Sequence, residues 1–258
     1  MSPELRAGNA SLRANGNETL AAVQRAGAVA GQFLPVDADD AMTVSELLRR
    51  RDGGPLEARY GRLRDRVLAA GIGGLSLGSE AVKDVAGYDL RRLLFGSAPV
   101  DWAVFRLAQL PERRERLLAR GGDAFALAEA LRAGPAAPGA LVVLEPELLA
   151  IADDCGTDEQ ARRRGLVERC ARDAGAQLEQ LDDAGWLALC TGLPPTIVRM
   201  TGRVARSRLP AHEGAWAYDA GRRFALVTPA AREMLSPARP APSAAPELVA
   251  GVLGAVGA

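Results

Sequence analysis

Residues 79–97 read SEAVKDVAGYDLRRLLFGS, and this run decides how the rest of the chain is interpreted, because its wording is too particular for packing alone. Val82, Val85 and Ala86 are small or branched apolar residues suited to a buried surface. Gly87 permits close backbone approach or a positive φ. Asp89 stands where it can cap a short helix, LRRLLF. Residue types by themselves give a loop that enters a capped helix.

Upstream, GNASLRANGN (8–17) reads as a short strand with turn residues on both sides. Asn17 is the expected N-cap of ETLAAVQRAGAVA, whose Leu20, Val23 and Ala26 or Gly27 share one face. Thr43-Val44-Ser45-Glu46 has capping-box spacing and opens the helix MTVSELLRRR. A DGGP turn at 52–55 leads to YGRLRDRVL (60–68), a strand pair AAGI and GLSLG, and a closing strand WAVFRLAQL at 102–110.

From Pro111 the pattern changes, and a second domain is expected over 111–235 after a first over 1–110. PERRERLLAR reads as a helix, as does DAFALAEALRA, capped by Asp123. ALVVLE (140–145) is an apolar strand. TDEQARRRGLVERCARDAG repeats the capping-box spacing from Thr157 to Gln160 and predicts a helix of about five turns. DDAGWLALC adds a short helix. TIVRMTGRVARSRL and AWAYDAGRRFALVT are strand-like, the latter split by the hairpin signal DAGR. These elements predict a small antiparallel sheet with helices on one face. SPARPAPSAAP (236–246) buries too little to fold, so 236–258 is expected to be a Pro/Ala-rich linker and tail, closed by the small apolar helix ELVAGVLGAVGA.

The 32 basic and 32 acidic residues cancel, leaving no broad field that would draw nucleic acid or an anionic membrane. The Arg runs at 49–51 and 162–164 are expected on solvated faces. Trp102, Trp186 and Trp216 lack an accompanying basic groove and are expected as core or interface anchors. Cys155, Cys170 and Cys190 have no CxxC spacing and read as reduced cysteines of a cytoplasmic protein. With His212 the single histidine, no metal site is expected. No secretory apolar region and no run of about 18 apolar residues occur, so no membrane span is expected.

The 79–97 run, together with LRANGNETLAAVQRAGAVAGQFLPVD and YGRLRDRVL, resembles the FAD-linked oxidases with a PCMH-type flavin domain over about residues 8–110. The wording is nearest to the E subunits of bacterial glycolate oxidases. The resemblance implies an α+β fold, a partial PCMH-type FAD-binding domain followed by a small α+β cap-like domain. Its retained motifs map cofactor contacts onto Thr43, Tyr60, Gly61, Val85, Ala86, Gly87 and Tyr88.

Departures from the family pattern accompany it. Ser45 and Glu46 stand where a TxGG motif has glycines, and Ala98-Pro99-Val100-Asp101 replaces a GTLG-like turn. A DPxGxxNPG-like segment is missing, and only seven residues precede Gly8, where a Gly-rich pyrophosphate loop should lie further upstream. FAD is therefore expected to bind weakly or not at all, and no catalytic residue is assigned; His212, beside Glu213, reads as a surface loop histidine. The resemblance implies a non-catalytic or weakly flavin-binding subunit of a 2-hydroxyacid (glycolate) oxidising complex, the alternative being a working FAD-dependent 2-hydroxyacid oxidoreductase. It also implies as partners a flavin-bearing D-type subunit and an iron–sulfur subunit, with localisation in the cytoplasm or at the inner membrane through that complex. The contact is expected around Leu12, Phe33, Leu34 and residues 82–94.

Overall fold

The computed structural model describes residues 3–6, 10–50, 53–78, 98–135, 137–211 and 215–235. The 79–97 run, and with it Val85, Ala86, Gly87 and Tyr88, lies outside these, as do His212, Glu213 and the 236–258 tail.

The first half is built on five antiparallel strands. In chain order these are β1 (Glu4–Arg6), β2 (Ser11–Asn15), β4 (Val67–Ile72), β5 (Leu75–Gly78) and β6 (Val100–Arg106), lying side by side as β1-β2-β6-β4-β5. Register places Leu12 opposite Phe105 and Ala70 opposite Ala103, so large apolar residues face large and small face small across the sheet. Helix α1 (Leu20–Ala28) lays Leu20, Val23 and Gly27 into this core. Its N-cap is Thr19 rather than Asn17: the Thr19 hydroxyl accepts from Ala22 N. Glu18 meanwhile bonds the backbone of Asn15, which leaves Asn17 in the turn before the cap.

Helix α2 (Val44–Arg50) begins with the expected capping box, Thr43 Oγ1 accepting from Glu46 N and Glu46 Oε2 from Thr43 N. The last strand of this half ends at Arg106. The next residues, β7 (Ala108–Gln109), turn away to pair with β3 (Gln32–Phe33). Leu12, Phe33 and Leu34 are buried in the first half, which corrects their expected place on an exposed partner face. The short helix α3 (Glu57–Tyr60) reaches the second half, and α4 (Leu63–Arg66) leads straight into β4 of the first sheet.

The second sheet has seven antiparallel strands. They are β8 (Arg113–Arg120), β9 (Ala140–Glu145), β10 (Leu148–Cys155), β11 (Gln177–Gln180), β12 (Thr196–Arg199), β13 (Trp216–Asp219) and β14 (Phe224–Val227), ordered β11-β8-β10-β9-β13-β14-β12. Two sequence expectations fail here. PERRERLLAR supplies β8, and of TIVRMTGRVARSRL only the first four residues are a strand, since α8 (Gly202–Arg208) follows. Ala205 and Leu209, the buried members, are spaced for a helix rather than a strand.

One face of this sheet, carrying Leu117, Leu141, Val143, Leu149 and Ile151, packs on α5 (Ala124–Ala133), α6 (Thr157–Asp173), α8 and α9 (Pro229–Leu235). Asp123 caps α5 as expected. Helix α6 instead takes Gly156 as its N-cap, and its first backbone donor, Thr157 N, is met from outside the helix by the Glu112 carboxylate. The second face is also covered, contrary to the one-sided expectation. Leu118, Val142, Ala150 and Leu226 receive Trp186 and Cys190 of α7 (Asp183–Thr191) together with Leu56 from the first half.

The Arg run at 162–164 is not a uniformly solvated face. Arg163 is buried against Asp153 at 2.9 Å, and Arg164 reaches Glu115 at 2.7 Å. Trp216 stacks on Phe125, and Arg13 lies over Trp102, so the three tryptophans serve packing as anticipated. No helix among the described residues is long and apolar enough to cross a membrane. The three cysteines are free thiols, and no metal-ligand cluster occurs among the described residues.

Candidate functional site

Of the residues to which the resemblance assigns cofactor contacts, Thr43, Tyr60 and Gly61 are described, and they take different tasks. At the Thr43 turn every backbone donor from 43 to 46 is already used. Thr43 N donates to Glu46 Oε2 (2.8 Å), Val44 N to Glu18 O (2.9 Å), Ser45 N to Gly16 O (2.9 Å) and Glu46 N to Thr43 Oγ1 (3.2 Å). Ser45 Oγ accepts from Val100 N at 3.0 Å, tying the turn to β6. Backbone and hydroxyl bonds from Thr43 hold the Glu46 carboxyl below its ordinary range. A phosphate cradle needs unspent N–H groups and tolerates no fixed carboxylate, so this turn does not fit a dinucleotide's pyrophosphate.

Tyr60 joins the two halves. Its ring meets Phe33 edge-on at 5.3 Å, and its hydroxyl donates to Asp154 Oδ2 on β10 at 3.0 Å. Burial, and then the neighbouring Asp154 charge, push the phenol up to about 12. Gly61 closes α3 with φ +82°, and a Cβ there would touch nothing among the described residues, so the positive φ is what calls for glycine.

The strongest chemistry in the described residues lies at this same junction. Arg116 of β8 donates from Nη1 to Asp154 Oδ1 at 2.8 Å. Trp186 Nε1 and Leu56 N each donate to Asp37, both at 2.8 Å. Arg222 bridges Asp219 (2.6 Å) and Glu57 (2.9 Å), and Glu57 Oε1 also accepts from Gly53 N and Leu63 N. Beside these ties runs a cleft of about 400 Å³ between α1 and the residues after β3 on one side and β8 and α7 on the other. Phe33, Asp37, Arg114, Arg116, Asp183 and Trp186 line it; Thr43, Tyr60 and Gly61 do not.

Sequence reasoning missed Asp37, Glu57, Arg116 and Arg222. Arg116 was hidden in a segment read as helix. For Asp37 the one available signal was an acidic residue ending an otherwise apolar element, QFLPVD.

Asp37 carries a pH dependence. Burial pushes its carboxyl from 3.8 up to about 6, against the lowering effect of the Trp186 and Leu56 donors and of Arg116. The folded state thus holds this proton more tightly than the unfolded chain. The group's contribution to stability is full below its ordinary pKa and is lost as pH rises through about 6. Between about pH 5 and pH 8 the wild type should lose about 1–1.5 kcal/mol that Asp37→Asn does not lose. Urea unfolding of both at the two pH values checks this, and parallel pH profiles would contradict it.

Comparison with known proteins agrees with this architecture. The chain matches no known family profile. Over 91 residues it is 31% identical to a mitochondrial D-lactate dehydrogenase [cytochrome] of Arabidopsis thaliana, covering 32% of this chain and 16% of that enzyme. Two crystal structures of alkyldihydroxyacetonephosphate synthase superpose on it with TM-scores of 0.59 and 0.61 at 13% identity. They cover 71% and 74% of this chain but 42% and 45% of the synthase. The chain has an α+β fold similar to that of PCMH-type FAD-binding proteins and spans under half the length of these structures.

Proposed function

We propose that this chain is an FAD-linked-oxidase-like protein of the glycolate oxidase E-subunit kind, a non-catalytic or weakly flavin-binding subunit of a 2-hydroxyacid-oxidising complex. The likeness to D-lactate dehydrogenase and the PCMH-type fold support the oxidase side of this reading. The observation that carries the non-catalytic side is the Thr43 turn. Its four N–H groups are spent within the chain, and Glu46 stands in the place where the family's glycines admit the cofactor.

The reading also implies partners, a flavin-bearing subunit and an iron–sulfur subunit. A tagged copy expressed in the native host should co-purify with a flavoprotein. After separation under mild conditions and desalting, the flavin absorbance should follow the partner while this chain retains a sub-stoichiometric amount. A full equivalent of flavin on this chain would favour a working FAD-dependent oxidoreductase instead. A chain that purifies with no oxidase subunit would remove the complex from the proposal.

A further inference from the structure

We propose that the outer edge of β12 accepts an extended acidic segment of another protein as a further strand of the second sheet. The inference rests on which main-chain groups that edge leaves open. Strand β12 pairs with β14 along one side, Ile197 opposite Leu226 and Arg199 opposite Phe224, and is the last strand of the sheet on the other. Met200 N, one step beyond the strand, donates to Arg223 O at 3.1 Å. Antiparallel pairing alternates residues whose main chain faces the neighbouring strand with residues whose main chain faces away. The Met200 bond therefore turns Thr196 and Val198 toward β14, and the N–H and C=O groups of Ile197 and Arg199 toward the open side. None of these groups of Ile197 and Arg199 meets a partner among the described residues.

The side chains beside them are of two kinds. Ile197 is 37% exposed, a large apolar residue left open on the sheet edge, and Val204 in α8 is exposed to the same extent. Arg199 is exposed, its guanidinium 5.9 Å from the Phe224 ring, and Arg203, Arg206 and Arg208 are exposed in the helix that follows. No Asp or Glu occurs anywhere from 184 to 212. Arg206 pairs with Asp123, while Arg199, Arg203 and Arg208 have no ion-pair partner among the described residues. The opposite edge of this sheet, β11, differs on each count: it carries no exposed large apolar residue, and its Glu179 is paired with Arg120.

The open groups of Ile197 and Arg199 are too few to hold a strand by themselves, so side chains must select it. Charge on a sheet edge guards it against pairing with further copies, and two copies meeting here would bring their arginines together. The same repulsion favours a strand of opposite sign. Ile197 and Arg199 lie two residues apart and so project from one face of the sheet. The partner strand therefore needs an apolar residue and an acid two positions apart, with neighbouring acids adding to the attraction.

Fluorescence anisotropy of a labelled peptide, DDETVTS, titrated with the full chain tests this. Its Glu and Val fall opposite Arg199 and Ile197 in an antiparallel pairing. Saturable binding with a Kd on the order of 10–100 μM is expected. A version N-methylated at those two residues should bind about tenfold more weakly, because it keeps the charge and loses both donors to the edge. The basic peptide KKKTVTS should not bind. In the chain, Arg199→Glu should weaken the probe about tenfold, and Ile197→Pro, which removes an outward N–H and leaves the β14 ladder whole, about fivefold. Both positions are exposed, so circular dichroism should show unaltered folds. The proposal is overturned by no saturable change up to about 1 mM, by equal binding of the methylated or the basic peptide, or by indifference to Arg199→Glu. Displacement of the probe by a peptide copying 236–258 would give the edge to the chain's own tail, and self-association that Ile197→Pro abolishes would give it to a second copy; either result overturns the proposal. Neither flavin nor an oxidase subunit enters the assay, so its failure would leave the subunit reading untouched.

Discussion

Arg222→Ala should lower the unfolding free energy by about 3–5 kcal/mol, because it removes the one guanidinium that bridges two buried carboxylates. The Arg222, Glu57 and Asp219 side chains are 7%, 5% and 0% exposed, so water cannot replace the lost guanidinium. At a few degrees per kcal/mol for a chain of this size, the melting temperature should fall by roughly 10 °C. Arg222→Lys keeps the charge but offers a single point donor where a fork spans two carboxylates, and should fall between the two. Thermal and urea unfolding followed by far-ultraviolet circular dichroism give the measurement. A loss under about 1 kcal/mol would mean that the junction is solvated and its ion pairs are worth no more than surface ones.

Trp186→Ala should cost about as much, roughly 3–5 kcal/mol, by a different route. The indole fills the second face of the large sheet among Leu118, Val142 and Leu226, and its removal opens a cavity that β-strands on one side cannot relax to fill. It also removes the donor that most opposes the effect of burial on Asp37. Trp186→Phe separates the two contributions: it retains most of the volume, should cost roughly 1–3 kcal/mol through the loss of one of the two donors to Asp37, and should carry the Asp37 titration further upward. If Phe and Ala at this position proved equally damaging, packing would not be the main contribution of Trp186.

Elements whose signals are local were legible in the sequence. The Thr43–Glu46 capping box, the Asp123 cap and the apolar run of β9 depend on neighbours within a few residues, and each forms as read. Strand β8 was not legible, because Glu115 and Arg116 belong to a run of charged residues ahead of its short apolar stretch and give it a helical look. Both are buried and paired with Arg164 and Asp154 respectively, which no local pattern can reveal. Strand β10 hides for the same reason, its Asp153 and Asp154 being paired from α6 and β8. The Asp37–Trp186 bond, 149 residues apart, is likewise invisible to periodicity. The family wording pointed to the fold through 79–97, a run that lies outside the described residues, while the described members of the motif set went to a helix cap and to the junction.

The bond between Glu57 and Arg222 also sets a clock on biosynthesis. The two residues are 165 positions apart, so a ribosome adding about 5–20 residues per second exposes Glu57 roughly 8–30 s before its guanidinium exists. During that interval the first half has its own sheet and helices but lacks the surface that will bury Leu56, Glu57 and Asp37. The nascent chain therefore passes through a stage in which these groups still face water, and the first half is completed only when nearly the whole second sheet has been made.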